Sequence, residues 1–304
     1  MNDAAVTGHE KVYGFLHDFV FKFAFGKPQN TRILTALLNS LMQFDGDRLI
    51  DEVTILNPYC LGELQRSKAG VLDVKVRDKL GRYYFIEAQV ARRHGFAGRI
   101  LYYLSRLFAE QLDKGEDYTA LQTTTGLTIV DFDLWPAVDS MYNVFRFRNV
   151  AADFDFSHLF EVRTIELSKF RERRPGEPRS RFERWLDVLG FGPAYLDGSK
   201  RLPDSPETQE EMTMAIEQLK QANADRELRN LLEAEERRDR DIATQLVMAR
   251  REGIAEGIAK GLAKGEAQCA TMIRNLAARG MSREQIAEVA ALPPAEVDAI
   301  LAQR

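Results

Sequence analysis

The chain has 304 residues, 45% of them apolar and 29% charged, and a formal net charge of −4. This composition excludes a fibrous or disordered chain and a uniformly basic polyelectrolyte, so any contact with nucleic acid needs a local basic face. Two distant cysteines, Cys60 and Cys269, exclude a disulfide framework and a cysteine zinc site. The opening MNDAAVTGHEKVYG lacks an apolar core of signal-peptide length, and no run of about 18 apolar residues follows. The expectation is a cytoplasmic protein that makes no use of a membrane.

Residues 11–43 read as helical, in two pieces broken at Gly26 and Pro28. The first, FLHDFVFKFAFG, is almost continuously apolar and should be buried; the second, TRILTALLNSLMQF, is amphipathic. DEVTILNPY is a strand candidate. VLDVKVRD and RYYFIEAQV alternate and carry β-branched and aromatic residues, as strands do. A helix is expected from about Gly95 to Leu112, then strands in GLTIVDFD, MYNVFRFR and FEVRTIEL. Helices, a hairpin, a helix and further strands describe an α/β domain with a mixed sheet, assigned to 1–168. The arginine-rich 169–206 reads as a basic linker with a short helix around Trp185 and Leu186. From 207 to 304, Ala, Glu, Arg, Lys and Leu dominate and strand signals vanish, so an all-helical extension is expected.

The hairpin holds the first functional signal. A three-residue loop Lys79–Leu80–Gly81 with glycine last suits a turn that needs positive φ. Centred on Leu80, this register sets Asp73 opposite Glu87, and puts Phe85, Glu87 and Gln89 on one face with Lys75. Opposed carboxylates, with Cβ atoms about 4.5–5.5 Å apart, destabilise each other unless a cation lies between them. A divalent ion with oxygen ligands meets that need. The same pattern also fits a solvated outer face. The apolar helix that follows Gln89 favours a cleft.

These residues carry a resemblance. Asp73, Glu87 and Gln89 on adjacent antiparallel strands resemble the PD-(D/E)XK restriction-endonuclease-like core. HDFVFKFAFGKPQNTRILTALLNSLM, LDVKVRDKLGRYYFIEAQV and RILYYLSRLFAEQLDKGEDYTALQTTTGLTIVDF, in this order, resemble the bacterial recombination-promoting nuclease and transposase family over about residues 13–190. The likeness implies Mg²⁺- or Mn²⁺-dependent hydrolysis of DNA phosphodiester bonds, with Asp73 and Glu87 as metal ligands. Gln89 stands where the superfamily has lysine, and its neutral amide can orient water but supplies no charge. Lys75 could supply the missing cation or be a solvated strand lysine. Asp18 matches the acidic position of the opening helix, as metal or water ligand or as a partner of backbone amides. Arg99 and Tyr103, one helical turn apart, could reach a phosphate. Glu63 is a weaker acidic candidate, and Arg171, Arg173, Arg174, Arg179, Arg181 and Arg184 are either a phosphate track or a solvated linker. His9, His17, His94 and His158 have no metal-ligand spacing.

In the extension, EGIAEGIAKGLAKGEA spaces Gly253, Gly257, Gly261 and Gly265 by four. Each glycine costs a helix about 1 kcal/mol relative to alanine, so a self-associating helix is expected here and, through it, a homo-oligomer; a frayed, charged, solvated helix is the alternative, and a glycine-punctuated C-terminal helix is common in the family that the chain resembles. MSREQIAEVAALPPAEVDAIL opens with a capping box, Ser282 to Gln285, and has a helix-turn-helix outline. Glu296 and Asp298 on its second helix favour packing over base reading. An oligomeric DNA-binding protein of weak or no catalytic activity on the same fold is the second functional expectation.

Overall fold

The computed structural model describes residues 11–60, 74–92, 95–172, 180–203 and 209–302. Asp73, Glu63, His9, His94, Arg174 and Arg179, with Arg173, lie outside the described residues.

The opening apolar stretch forms α1 (Asp18–Phe25), buried along nearly its whole length, and the amphipathic one forms α2 (Thr31–Leu41). α1 ends at Gly26, where a Cβ would stand 2.7 Å from the Lys22 carbonyl oxygen. The strands are β1 (Val53–Ile55), β2 (Val74–Asp78), β3 (Tyr83–Gln89), β4 (Thr124–Val130), β5 (Tyr142–Arg146) and β8 (Phe160–Glu166), with a separate ribbon of β6 (Arg148–Asn149) and β7 (Phe154–Asp155). The six-stranded sheet has the order β1-β2-β3-β4-β8-β5. β3, β4 and β8 are parallel to one another; β1, β2 and β5 pair antiparallel. Helix α3 (Phe96–Ala109) makes the crossover from β3 to β4.

The β2–β3 hairpin turns as its sequence indicates. Gly81 has φ +83°, and its N–H donates to the Asp78 carbonyl at 3.0 Å. The buried Asp78 carboxylate ties the turn together, accepting from the Leu80 and Arg82 main-chain N–H groups and from Arg82 Nε at 2.6 Å. The register Val74↔Ile86, Lys75↔Phe85, Val76↔Tyr84, Arg77↔Tyr83 is the one centred on residue 80.

Alternation divides the sheet between two layers. Tyr84, Ile86 and Ala88 face the main core with α1 and α2, while Phe85 faces α3 in a second cluster with Phe96, Ile100, Leu104 and Leu107. Helices α4 (Leu167–Glu172), α5 (Arg181–Leu196) and α6 (Gln209–Ala224) follow, then the 53-residue α7 (Arg226–Ala278). The change of composition near 168 does not coincide with a break in packing: Trp185, Leu186, Leu219, Leu228 and Leu232 all bury in the main core. The first compact unit runs to Glu233. The second, Ala234–Arg304, holds the rest of α7 with α8 (Arg283–Ala290) and α9 (Pro294–Ala302). Its small core contains Ile273, Ile286 and Val297, and the Ser282–Gln285 capping box is formed. Among the described residues, no helix is long and apolar enough to cross a membrane.

At the end of β8 the fully buried Glu166 accepts from the Leu134 and Trp135 N–H groups and pairs with Lys169 at 2.7 Å. Lys169 in turn donates to the Trp135 and Val138 carbonyls. Lys169→Met leaves a buried carboxylate without its cation and is expected to lower unfolding free energy by about 3–5 kcal/mol, measured by urea denaturation. The double variant Lys169→Met/Glu166→Met should recover part of that loss.

Candidate active site

Glu87 and Gln89 end the central strand β3 on its α3-facing side, at 8% and 3% exposure. A carboxylate so far from water needs a positive partner. It comes from the first turn of α3. Gly95, at φ +70°, turns the chain into the helix, and Arg99 donates its main-chain N–H to the Gly95 carbonyl at 2.9 Å. The Arg99 side chain reaches back over the strand: Nη2 donates to Glu87 Oε1 at 2.6 Å and also to Gln89 Oε1. Its guanidinium lies 5.4 Å from the Phe96 ring centre. Two side-chain oxygens from alternate strand positions thus converge on one positively charged nitrogen.

The sheet extends this polar patch sideways. Glu87 is in register with Thr128 of β4, and Thr128 with Thr164 of β8. Thr128 Oγ1 is buried and has no hydrogen-bond partner among the described residues, whereas Thr164 Oγ1 accepts from Trp135 Nε1 at 3.3 Å. One residue past β4, Asp131 donates its main-chain N–H to the Gln89 carbonyl at 3.0 Å and is ion-paired with Arg171. Burial pushes the Asp131 carboxyl above its usual range, and Arg171 pulls it back only in part. Beside the patch, at the start of α3, opens a cleft of about 540 Å³ lined by Arg92, Gly95, Gly98 and Trp135. The first N–H groups of α3 have no side-chain cap there, the arrangement that favours anions at a helix start.

Glu87, Gln89 and Arg99 are therefore brought together. Lys75 shares their face, paired with Phe85, and among the described residues its ammonium makes no ion pair. Tyr103 stacks on Phe85 with ring centres 6.0 Å apart and belongs to the apolar layer under α3. Asp18 begins α1, which packs on the main-core side of the sheet, the face opposite to Glu87. Arg171 is engaged by Asp131, and Arg181 and Arg184 are in α5. Thr128 and Asp131 escaped the sequence reading. The signal for Thr128 was a polar residue at an α3-facing position of GLTIV, legible only once β4 is placed beside β3.

Among the described residues no group of three or more His, Cys, Asp or Glu side chains is disposed to hold a metal ion. The Glu87 and Gln89 oxygens nevertheless suit a hard cation, because they already share one cationic donor.

The chain matches the family model of the PD-(D/E)XK nuclease family transposase over residues 15–249 and belongs to that family. The match takes in the whole sheet and the Glu87–Gln89–Arg99 cluster and supports a nuclease-like function. No curated protein and no solved structure matches the chain.

Arg99 is about a quarter exposed, so its pairing with Glu87 is worth less than a fully buried one. In a metal-free buffer Arg99→Met is expected to destabilise the protein by about 1–3 kcal/mol, read from urea denaturation. Glu87→Gln in the Arg99→Met background should restore most of the loss, since the orphaned charge is then gone.

Proposed function

We propose that the sheet-bearing unit is a divalent-metal-dependent DNA endonuclease that hydrolyses phosphodiester bonds, in DNA recombination or the movement of mobile elements. The observation that carries this reading is the convergence of Glu87 Oε1 and Gln89 Oε1 on a single cationic nitrogen beside an open cleft. Asp73 is the second acidic ligand in this reading. Its place opposite Glu87 is the expectation from the hairpin sequence, since Asp73 lies outside the described residues. Family membership supports nuclease chemistry, and Mg²⁺ or Mn²⁺ fits a site of carboxylate and amide oxygens. When bound, such an ion supplies an acidified water and charge stabilisation for in-line attack at phosphorus.

The remaining work falls to side chains of this chain. Glu87, held nearly dry on a central strand, has its carboxylate oriented in advance, so little reorganisation is needed. Gln89 directs a carbonyl oxygen at the same point and can orient a water through its amide. Arg99, whose guanidinium is partly exposed, can exchange the carboxylate for a phosphate oxygen as DNA enters. Lys75, on the same face, is the cation available where the superfamily lysine is absent. The uncapped start of α3 and Arg92 favour the phosphate backbone in the neighbouring cleft. Asp18, on the opposite face of the sheet, and Tyr103, stacked on Phe85, take no direct part in this reading.

A second reading, a weak or inactive DNA-binding protein, is favoured by one feature: Arg99 already neutralises Glu87, and Gln89 brings no charge.

Purified protein is expected to nick supercoiled plasmid with Mg²⁺ or Mn²⁺ and not with EDTA. Asp73→Ala and Glu87→Gln should each lower the rate by about two orders of magnitude or more, the scale lost with a positioned charge-stabilising group, while far-ultraviolet dichroism stays unchanged. Equal rates in these variants would remove both residues from the reaction. No cleavage with any divalent ion, together with a salt-sensitive gel shift that ignores EDTA, would establish the second reading.

A further inference from the structure

Gly253, Gly257, Gly261 and Gly265 lie within α7, and none has positive φ. A Cβ built on any of them meets nothing within 4 Å among the described residues. Among the described residues no turn and no neighbour requires glycine there. Only proline is a poorer helix former, so a regular row of four weakens α7 with no compensation among the described residues. Close approach of a backbone from outside them would supply it.

The residues beside the glycines indicate what approaches. At about 3.6 residues per turn, the glycines form one row that turns slowly around the helix. Ile254, Ile258 and Leu262 flank it on one side, 53%, 59% and 64% exposed. Glu252, Glu256, Lys260 and Lys264 flank it on the other. These flanks have an internal order centred on Ile258. Glu252 and Lys264 are each six residues from the centre, Glu256 and Lys260 each two, and Ile254 and Leu262 each four. Reversed end to end, the segment presents the opposite charge at every charged position and an aliphatic side chain at every aliphatic one.

We propose that residues 252–264 form a self-complementary face through which two copies of this chain pair antiparallel about a two-fold axis at Ile258. In that arrangement each flank meets the same flank of the partner copy, running the other way. Glu252 then faces Lys264, Glu256 faces Lys260, Ile254 faces Leu262, and the glycines let the backbones come close. A parallel pairing about a two-fold axis along the helices would instead set the charged flank of one copy against the Ile254–Ile258–Leu262 flank of the other. Within one chain Glu256 is bonded to Lys260 at 2.5 Å, but both are largely exposed and that pair holds little. The face lies beyond residues 15–249, the span that the family model matches.

The test uses the full chain and light scattering after size exclusion, at roughly micromolar to hundred-micromolar concentration. The wild type is expected to be a dimer. Lys260→Glu/Lys264→Glu and Glu252→Lys/Glu256→Lys should each be monomeric where the wild type is dimeric, and an equimolar mixture of the two should dimerise. Gly257→Ala/Gly261→Ala separates an interface from a merely weak helix: helicity should rise on heating curves while dimer affinity falls by about tenfold or more. For orientation, chains carrying Cys60→Ser and Cys269→Ser with either Glu252→Cys or Lys264→Cys are mixed and oxidised. Crosslinks between positions 252 and 264 are expected to predominate. A monomeric wild type, a second macromolecule bound to this face in its place, dimers that survive charge reversal, or crosslinks only between like positions would each overturn the proposal.

Discussion

A carboxylate on a central strand, covered by a helix, cannot stay charged without a cation at hand; moving such a group out of water costs several kcal/mol even after the protein relaxes. Glu87 is in that position, and the placing of α3 answers it by swinging Arg99 across the end of β3. Two other buried glutamates on the sheet face the same demand. Glu166 is paired with Lys169, and Glu161 with Arg163 and Arg146. Lys169 and Arg163 are themselves buried and spread their remaining donors over main-chain carbonyls. Those pairs staple segments together. Arg99 is more exposed than Lys169 and Arg163, and Gly95 and Gly98, just before it in the chain, line an open cleft.

The sheet topology gives that difference a location. β3, β4 and β8 run parallel, so Gln89, Asp131 and Glu166 come to the same carboxyl edge. In open α/β sheets this edge is where ligands bind, because connections from neighbouring strands diverge there and leave a crevice. Here the crevice is walled by the start of α3 and by the loop through Leu134 and Trp135, which Glu166 and Lys169 hold down. The stapled pair on β8 thus shapes the cleft at the start of α3.

The C-terminal unit follows a different rule. Its helix α7 owes little to burial beyond Leu232: exposed apolar residues, alternating charges and glycines run along it with few neighbours, until Ile273 meets α8 and α9. An isolated helix of ordinary composition is held by short-range pairs worth only tenths of a kcal/mol each. The length of this helix and its row of glycines are the ground for the pairing proposed above.

Local features were legible in the chain by itself. VLDVKVRD and RYYFIEAQV alternate, Gly81 permits the turn, and together they determine which residues of the hairpin share a face and in what register. The broken opening helices, the crossover helix and the Ser282–Gln285 cap could be read the same way, because their signals lie within a few residues of the structure they produce. Tertiary packing decided the rest. Arg99 looked suited to a phosphate, but whether it bonds a carboxylate first depends on how α3 docks on β3. Tyr103, offered with it, was drawn against Phe85 by the apolar layer beneath the same helix. Thr128 joined the site only through a strand pairing some forty residues away from Glu87 in the chain. The arginine-rich stretch near Trp185 reads as a linker in composition, yet its spaced apolar residues bury in the main core. Periodicity and turn chemistry act over a handful of residues. Which helix covers which strand is set by apolar burial summed over the whole molecule, and no short window of sequence contains that sum.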